Sequence, residues 1–466
     1  MTAWTFETIC AGAGGTWVVA PGADTAAPIG AAIDSREVKP GMLFVAFKGE
    51  RVDGHRYLEQ ADGAGAAMAI ATDADAVPDS IGMPVLLVED ATEALDRIAS
   101  LWRGLLGDLR VVGVTGSNGK TTTCRLLHAA ACLGGEGSLP GTRTRKSYNN
   151  AIGVPLTVLN ARAGDRVLVC EIGMSTPGEI AARCRTAQPE AAIITGVSGA
   201  HLEGLGSLEA IAREKASIAA GLADGAPLFM PGGIGVLDDA VAALANQPRV
   251  VRVGPGMDHE MSVISATGGG TRFILDGREY EIPLVGEHNA MNAALAVLAA
   301  RHLGAGDDAI ARGLAATEAP AMRLERSVIA TDPPIVVIND AYNANPASMR
   351  AALDVLCAET GGRRVAVLGD MLELGAAGEQ AHADMFEYAK GHADAVLTIG
   401  PRFAVAGSGG EPGTDSVAIE RLADRIRPGD TVLLKGSRGM RLERVLDVLR
   451  ARMDAADEPK RSAVNG

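Results

Sequence analysis

"RVVGVTGSNGKTTT", residues 110–123, decides how the rest of the chain is read. A run rich in β-branched residues ends in a glycine-rich turn, followed by a lysine and three threonines. A strand, a turn and a helix start in this order form an anion site, because backbone N–H groups at the helix N-terminus face the ligand. The common phosphate-loop pattern is G-x-x-x-x-G-K-[ST]. Counting back from Gly119 places its first glycine at Val114, so the spacing here is compressed, with Gly113 too early and Gly116 too late. Turn chemistry alone does not explain Gly119, Lys120 and Thr121 in direct succession. The loop is therefore expected to bind a nucleoside triphosphate through Thr115, Gly116, Ser117, Asn118, Gly119, Lys120, Thr121 and Thr122. Lys120 would supply a point charge and the Thr121 hydroxyl a ligand for Mg²⁺.

The surrounding chain sets the scale. Its 466 residues exceed one ordinary domain, and length alone suggests about three. Hydrophobic residues make up 47% and aromatics only 3%, so the core must be built from Ala, Val, Leu and Ile. The formal charge of −14 argues against a sequence-independent grip on nucleic acid, which uses Lys and Arg to neutralise phosphates. A local basic pocket for one anionic small molecule is still compatible with it. Cys10, Cys124, Cys132, Cys170, Cys184 and Cys357 show no C-x-x-C or zinc-like spacing, as expected of reduced thiols in the cytoplasm. No signal-peptide pattern opens the chain, and no run of 18 apolar residues suggests membrane insertion.

Three segments are expected, all of one α/β class: 1–108, 109–318 and 319–466. The first mixes short strands with turns. In the second, "RVVGVT", "RVLVCEIG", "AAIITGV" and "APLFM" alternate with amphipathic runs, which predicts a parallel sheet flanked by helices. Asp276-Gly277 in "RFILDGREYEIPL" predicts a hairpin near its end. The third restarts the alternation with "PIVVIND", "RRVAVLGD", "AVLTIG" and "TVLLKGS", and reads as a Rossmann-like, doubly wound domain. The polar tail "DAADEPKRSAVNG" is expected to be disordered.

Three further residues can carry chemistry. Glu171 ends an apolar strand at the sheet edge where ligands of open α/β folds collect, so it can hold Mg²⁺ against a triphosphate. His201 lies in a glycine-rich loop beyond "AAIITGV" at the same edge. Lys215 shares a helical face with Ile211, Ile218 and Leu222, while Arg213 and Glu214 point elsewhere. Burial disfavours a charged lysine, and a neutral amine can take up CO₂ to give an anionic carbamate suited to a second Mg²⁺. The plainer alternative is a snorkelling lysine with its head in water.

Beyond these residues, the chain resembles the Mur ligase family of ATP-dependent amide-bond formers in peptidoglycan assembly. The compressed loop behind Thr115 carries the resemblance, together with "SREVKPGMLFVAFKGERVDGH", "NNAIGVPLTVL", "EIGMSTPGEI", "AHLEGLGSLEAIAREKASI", "GEHNAMNAALA", "VAVLGDMLELG" and "GDTVLLKGSRGMRLERVL". "NDAYNANPASM" resembles the branch that adds D-alanyl-D-alanine to UDP-N-acetylmuramoyl-tripeptide. The resemblance implies a uridine-nucleotide-binding first domain, with Ser35, Arg36, Lys48 and His55 as substrate contacts, joined by Asn149 and Asn150 from the central domain. Asn289 would meet adenine, Asp340 ribose, and Arg323 ATP from the third domain. Tyr342, Asn343 and Asn345 would contact the dipeptide. The catalytic set would be Lys120, Glu171, His201 and Lys215, with ATP and two Mg²⁺ sites involving Thr121, Glu171, His201 and Lys215. The family also carries such a lysine carbamate.

The match has departures: Asn339 and Ala341 flank Asp340, Gly199 stands where proline is usual, and Lys146 and Tyr148 alter a loop that usually reads Gly-Asn-x-Asn-Asn. A cytoplasmic monomer is expected. The competing readings are the sister ligase for a diamino acid, a folate-polyglutamating relative, and a catalytically silent nucleotide-binding protein. The diamino-acid ligase usually carries an Asp-Asn-Pro-Arg run, which is missing here.

Overall fold

A computed structural model describes residues 3–49, 52–199, 202–267, 269–319 and 321–462. At its centre the strand Arg110–Thr115 lies between Val167–Glu171 and Ala191–Ile194 in a six-stranded parallel sheet. Pro227–Pro231 and Arg249–Val253 extend one side, and Gly141–Arg143 the other. The strand residues are buried on both faces, as a parallel sheet covered by helices requires. One face packs Val112 and Val114 against Leu126 and Leu127 of the helix Lys120–Cys132 and against the alanine-rich helix Glu287–Leu303. The opposite face shares a core with the first segment: Ile98 and Leu95 cluster with Leu168 and Cys170.

The first segment is more regular than short strands among turns. Its sheet has five strands in the order Thr16–Val19, Val85–Leu87, Met68–Ala71, Leu43–Val45, Ala31–Ala32, and only the Thr16–Val19 pairing is antiparallel. These strands are two to four residues long, too short to show a period in sequence. Helix Ala91–Leu105 links this segment to the centre, and Trp102 Nε1 donates to the Ala161 carbonyl at 3.1 Å.

The expected hairpin is present. Gly270–Leu275 pairs antiparallel with Arg278–Ile282, and Asp276 and Gly277 both have positive φ, 51° and 80°, which suits a two-residue turn. Met261–Thr267 adds a third strand to it.

In the last segment, Ile335–Asp340, Arg364–Gly369, Ala395–Ile399 and Thr431–Lys435 pair in parallel, with Glu325–Ile329 antiparallel at one edge. Helices cover both faces. The closing helix Glu443–Ser462 runs into the tail expected to be disordered, because its first turns are anchored in the core by Val445, Leu446 and Leu449. Among the described residues no helix is long and apolar enough to cross a membrane.

Candidate active site

The phosphate loop leaves the central strand at Thr115 and enters a helix at Lys120. Gly116 and Gly119 adopt φ of 149° and 80°, and a Cβ would come within 1.9 Å of the Thr195 hydroxyl at the first and 2.6 Å of Asn292 Oδ1 at the second. Only glycine fits either position. Gly113, which confuses the spacing in sequence, lies inside the strand. The loop is fastened to the neighbouring strand end: Ser117 N donates to the Gly196 carbonyl, and the Ser117 hydroxyl and Ser198 bond reciprocally at 3.0 and 2.9 Å. Thr115 is fully buried, and Ser117, Thr121 and Thr122 are nearly so.

Lys120 Nζ donates to the Gly116 carbonyl at 2.8 Å and so lies back over the loop. Burial lowers its pKa from the ordinary lysine value, while the negative charge of Glu171 opposes that shift. Thr121 Oγ1 donates to Glu171 Oε2 at 2.9 Å, and Asn149 Nδ2 donates to Glu171 Oε1 at 2.7 Å. The buried carboxylate is thus held by two neutral donors beside the phosphate loop. A carboxylate and a hydroxyl at this distance are hard oxygen donors of the kind Mg²⁺ shares with phosphate oxygens, so the residues fit that ion. Among the described residues no group of three His, Cys, Asp or Glu forms a metal cluster. His201 lies outside the described residues.

Lys215 is buried at 1% exposure. Its α-helix, Leu208–Ala216, gives way to the 3₁₀ turn Ser217–Ala219, so the expected face is not one continuous α-helical stripe; Ile211, Ile218 and Leu222 are nonetheless all buried. Burial, and then the charge of Lys120, hold the Lys215 pKa well below the ordinary value, and Glu214 opposes this. The snorkelling arrangement is therefore not what the fold adopts. Glu214 points away, accepting from Gly178 N and Ile180 N at the start of the helix Glu179–Ala187.

A cleft of about 860 Å³ opens between the phosphate loop and the last segment. Asn118, Asn289, Arg323, Asp340, Tyr342 and Asn343 all line it, so residues from two distant parts of the sequence meet there. Arg323 touches both sides: its guanidinium donates to Thr121 Oγ1 at 3.1 Å and stacks 4.2 Å from the centre of the Tyr342 ring. Asn289 Nδ2 donates to the Val285 carbonyl at 2.9 Å. His288 and Asn292 line the same cleft but escaped the sequence reading. Asn292, three residues beyond Asn289 on one helix, was open to helical spacing as a signal.

Lys435 resolves the charge at the end of the last sheet's central strand. It is 3% exposed, pairs with Asp340 Oδ2 at 2.6 Å and donates to the Asn343 carbonyl at 2.8 Å. These two contacts anchor the Tyr342–Asn345 loop to the strand end. Arg438 pairs with Glu443 at 2.7 Å.

Several expected substrate contacts have protein partners of their own. Asn345 is 3% exposed and caps the helix Pro346–Cys357, its Oδ1 accepting from Ser348 N at 2.9 Å. Asn150 Oδ1 accepts from Ile152 N and Gly153 N at the start of Gly153–Leu159. In the first segment the Ser35 hydroxyl donates to Gln60, His55 is held between Asp53 and the Thr72 amide, and Arg36 pairs with Asp34 at the surface. Lys48 is exposed. The short 3₁₀ turns Ser35–Glu37 and Gly54–Tyr57 are capped locally by Asp34 and Asp53, which accept from Arg36 N and His55 N.

A second cleft, between the first and central sheets, is lined instead by Ala31, Glu37, Arg143, Arg145, Tyr148 and Arg162 among others. Its guanidiniums outnumber its single carboxylate, and Glu37 is already paired with Lys146 at 2.6 Å. Lys146 sits at φ 52°, a conformation that explains why glycine is usual there.

Comparison with known proteins matches this arrangement along its length. Family models for the Mur ligase catalytic domain, middle domain and glutamate ligase domain match residues 30–103, 114–300 and 322–438. The UDP-N-acetylmuramoyl-tripeptide--D-alanyl-D-alanine ligase of Bacillus subtilis is 37% identical over 90% of this chain and 92% of its own length. The chain belongs to the Mur ligase family. The enzyme of the same name from Escherichia coli is 36% identical over 89% of this Mur ligase chain and 92% of its own. A crystal structure of MurF from Acinetobacter baumannii superposes with a TM-score of 0.81 at 29% identity, covering 97% of this chain and 99% of that one. MurF from Thermotoga maritima in complex with ADP gives 0.74 at 28% identity, over 92% and 98%.

Proposed function

We propose that this Mur ligase joins D-alanyl-D-alanine to UDP-N-acetylmuramoyl-tripeptide with cleavage of ATP to ADP and phosphate. The observation that carries the proposal is the meeting of the phosphate loop with the Tyr342–Asn345 loop across one cleft, with Arg323 in contact with both. The relatives named for this reaction span about nine-tenths of the chain, which supports the same substrates here.

ATP lies with its triphosphate on Gly116–Thr122 and its nucleoside in the cleft beside Asn289 and Asp340. The anionic donor lies in the basic cleft of Arg143, Arg145 and Arg162. An oxygen of the tripeptide's terminal carboxylate attacks the γ-phosphorus, the bond to ADP breaks, and an acyl phosphate forms. The dipeptide amine then attacks the acyl carbon, the bond to phosphate breaks, and the amine's proton leaves. No protein nucleophile is needed; the chain positions the reactants and balances charge through Lys120 and the loop amides. Mg²⁺ held by Thr121, Glu171 and phosphate oxygens would offset the triphosphate charge. Burial lowers the Lys215 pKa, so its Nζ would take up CO₂ with loss of a proton, and the resulting carbamate would hold a second Mg²⁺ together with His201.

The chain works as three domains, 1–108, 109–318 and 319–466, in the cytoplasm and as a monomer. The gaps between the matched family segments, at 103–114 and 300–322, support those boundaries. The test is to supply ATP, UDP-muramoyl-tripeptide and separate candidate amines, then weigh the products. A product heavier by the dipeptide residue is expected. Preferred addition of a single diamino acid would assign the sister reaction, and no product with any amine would leave a silent nucleotide-binding protein.

A further inference from the structure

One polar contact at the heart of the molecule has no part in the chemistry above. Asn345 Nδ2 donates to Asn118 Oδ1 at 2.8 Å, and Asn118 Nδ2 faces Asn345 Oδ1 at 3.4 Å, across 227 positions of sequence. Asn118 is the middle of the phosphate loop; Asn345 ends the acceptor loop. Asn118 is itself fixed to the sheet edge, since its Nδ2 is 3.2 Å from the Ser198 hydroxyl and its carbonyl accepts from the Thr195 hydroxyl.

Neither loop needs this contact for its own conformation. Capping of the helix Pro346–Cys357 uses only Asn345 Oδ1, which accepts from Ser348 N, while Asn345 N donates to Ser348 Oγ at 3.0 Å. A phosphate loop grips its anion through backbone amides and the lysine, and asks for no side-chain amide at Asn118. The pair therefore fixes the two loops relative to each other. Arg323 makes a parallel tie, between Thr121 and Tyr342.

We infer that Asn118 and Asn345 are positioning residues: their amide pair transmits occupancy of the triphosphate loop to the Tyr342–Asn345 loop, and so orders the site of the acceptor amine. The inference rests on the proposed function for the identity of that amine. Nucleotide that holds Asn118 facing Asn345 favours the ordered acceptor loop, and by linkage the bound amine favours the nucleotide to the same degree. In the absence of the pair, only the Arg323 tie links the two loops, and each substrate senses the other less.

Asn345→Ser separates this role from capping, because serine is an equally good N-cap but lacks the reaching Nδ2. Asn118→Ala removes the partner and keeps the loop backbone. Each variant should raise the KM for D-alanyl-D-alanine roughly tenfold, and the double variant should be no worse than either single one, as for two halves of one contact. A non-hydrolysable ATP analogue should slow amide hydrogen exchange across residues 341–349 in the unaltered protein and do so much less in the variants. Single effects that multiply in the double variant, or nucleotide-induced protection that is undiminished in Asn345→Ser, would overturn the inference. Exchange does not depend on the amine, so loss of protection in the variants would sustain the coupling even if the accepted amine proved different from the dipeptide.

Discussion

The hydroxyl of Thr121 donates to the carboxylate of Glu171 at 2.9 Å, although fifty positions separate them in the chain. Parallel pairing of Val114 with Glu171 brings them together, because it ends both strands at the same edge of the sheet. The same carboxylate accepts from Asn149, so its geometry is set from two sides.

Glu171→Gln keeps the side chain's size and removes its charge. Activity should fall and the Mg²⁺ concentration for half-maximal rate should rise. A superimposable Mg²⁺ titration would reduce Glu171 to an anchor for Thr121 and Asn149.

Lys120→Ala should abolish most phosphate release. An exposed turn would make the change harmless to folding for a simple reason; the structure instead places Lys120 back over a largely buried loop, bonded to Gly116. Its removal costs one neutral acceptor its partner, so the far-ultraviolet circular dichroism should hold while the rate drops at least tenfold, about 1.4 kcal/mol of transition-state stabilisation. A smaller drop contradicts its assigned role.

Lys215→Ala should be inactive and regain part of its rate in acetate, whose carboxylate can occupy the gap left by a carbamate. Lys215→Arg should also fail, because a guanidinium does not take up CO₂. An active arginine variant removes the carbamate from the mechanism.

Asn343 is the acceptor-loop asparagine whose side chain borders the cleft, its carbonyl being held by Lys435. Asn343→Ala should raise the KM for D-alanyl-D-alanine and leave that for ATP nearly unchanged, as read from initial rates with each substrate varied. Equal changes in both would make Asn343 a general support of the loop.

The thiols give a test of the core. Burial pushes Cys132 and Cys184 up to about 12, so both stay protonated until the pH passes well above the usual thiol range. Iodoacetamide at pH 8 should leave buried Cys184 unmodified in the folded protein and label Cys132 more slowly than Cys357, although both are partly exposed. Mass mapping that finds Cys132 or Cys184 labelled first would contradict this packing.

The sequence by itself determined the parts of this protein that depend on neighbours in the chain. Gly119-Lys120-Thr121 behind a buried strand specifies a phosphate loop, since its anion site is made of consecutive backbone amides. Asp276-Gly277 specifies a hairpin through the positive φ both residues accept. Lys215 stood out because an apolar surrounding is costly for a charge, and it is indeed buried. Tertiary structure alone decided how polar side chains were shared out. Asn345, Asn150, Ser35 and His55 could each bind a ligand or satisfy a nearby backbone or side-chain group, and local sequence scores the two uses alike. Folding gave each a protein partner: Ser35, His55 and Asn345 are buried, where an unpaired hydroxyl, amide or imidazole is expensive, while exposed Asn150 caps a helix start beside it in the chain. The basic cleft of Arg143, Arg145 and Arg162 and the meeting of Asn118 with Asn345 were likewise decided only there, because both arise where sheets far apart in sequence come to face each other.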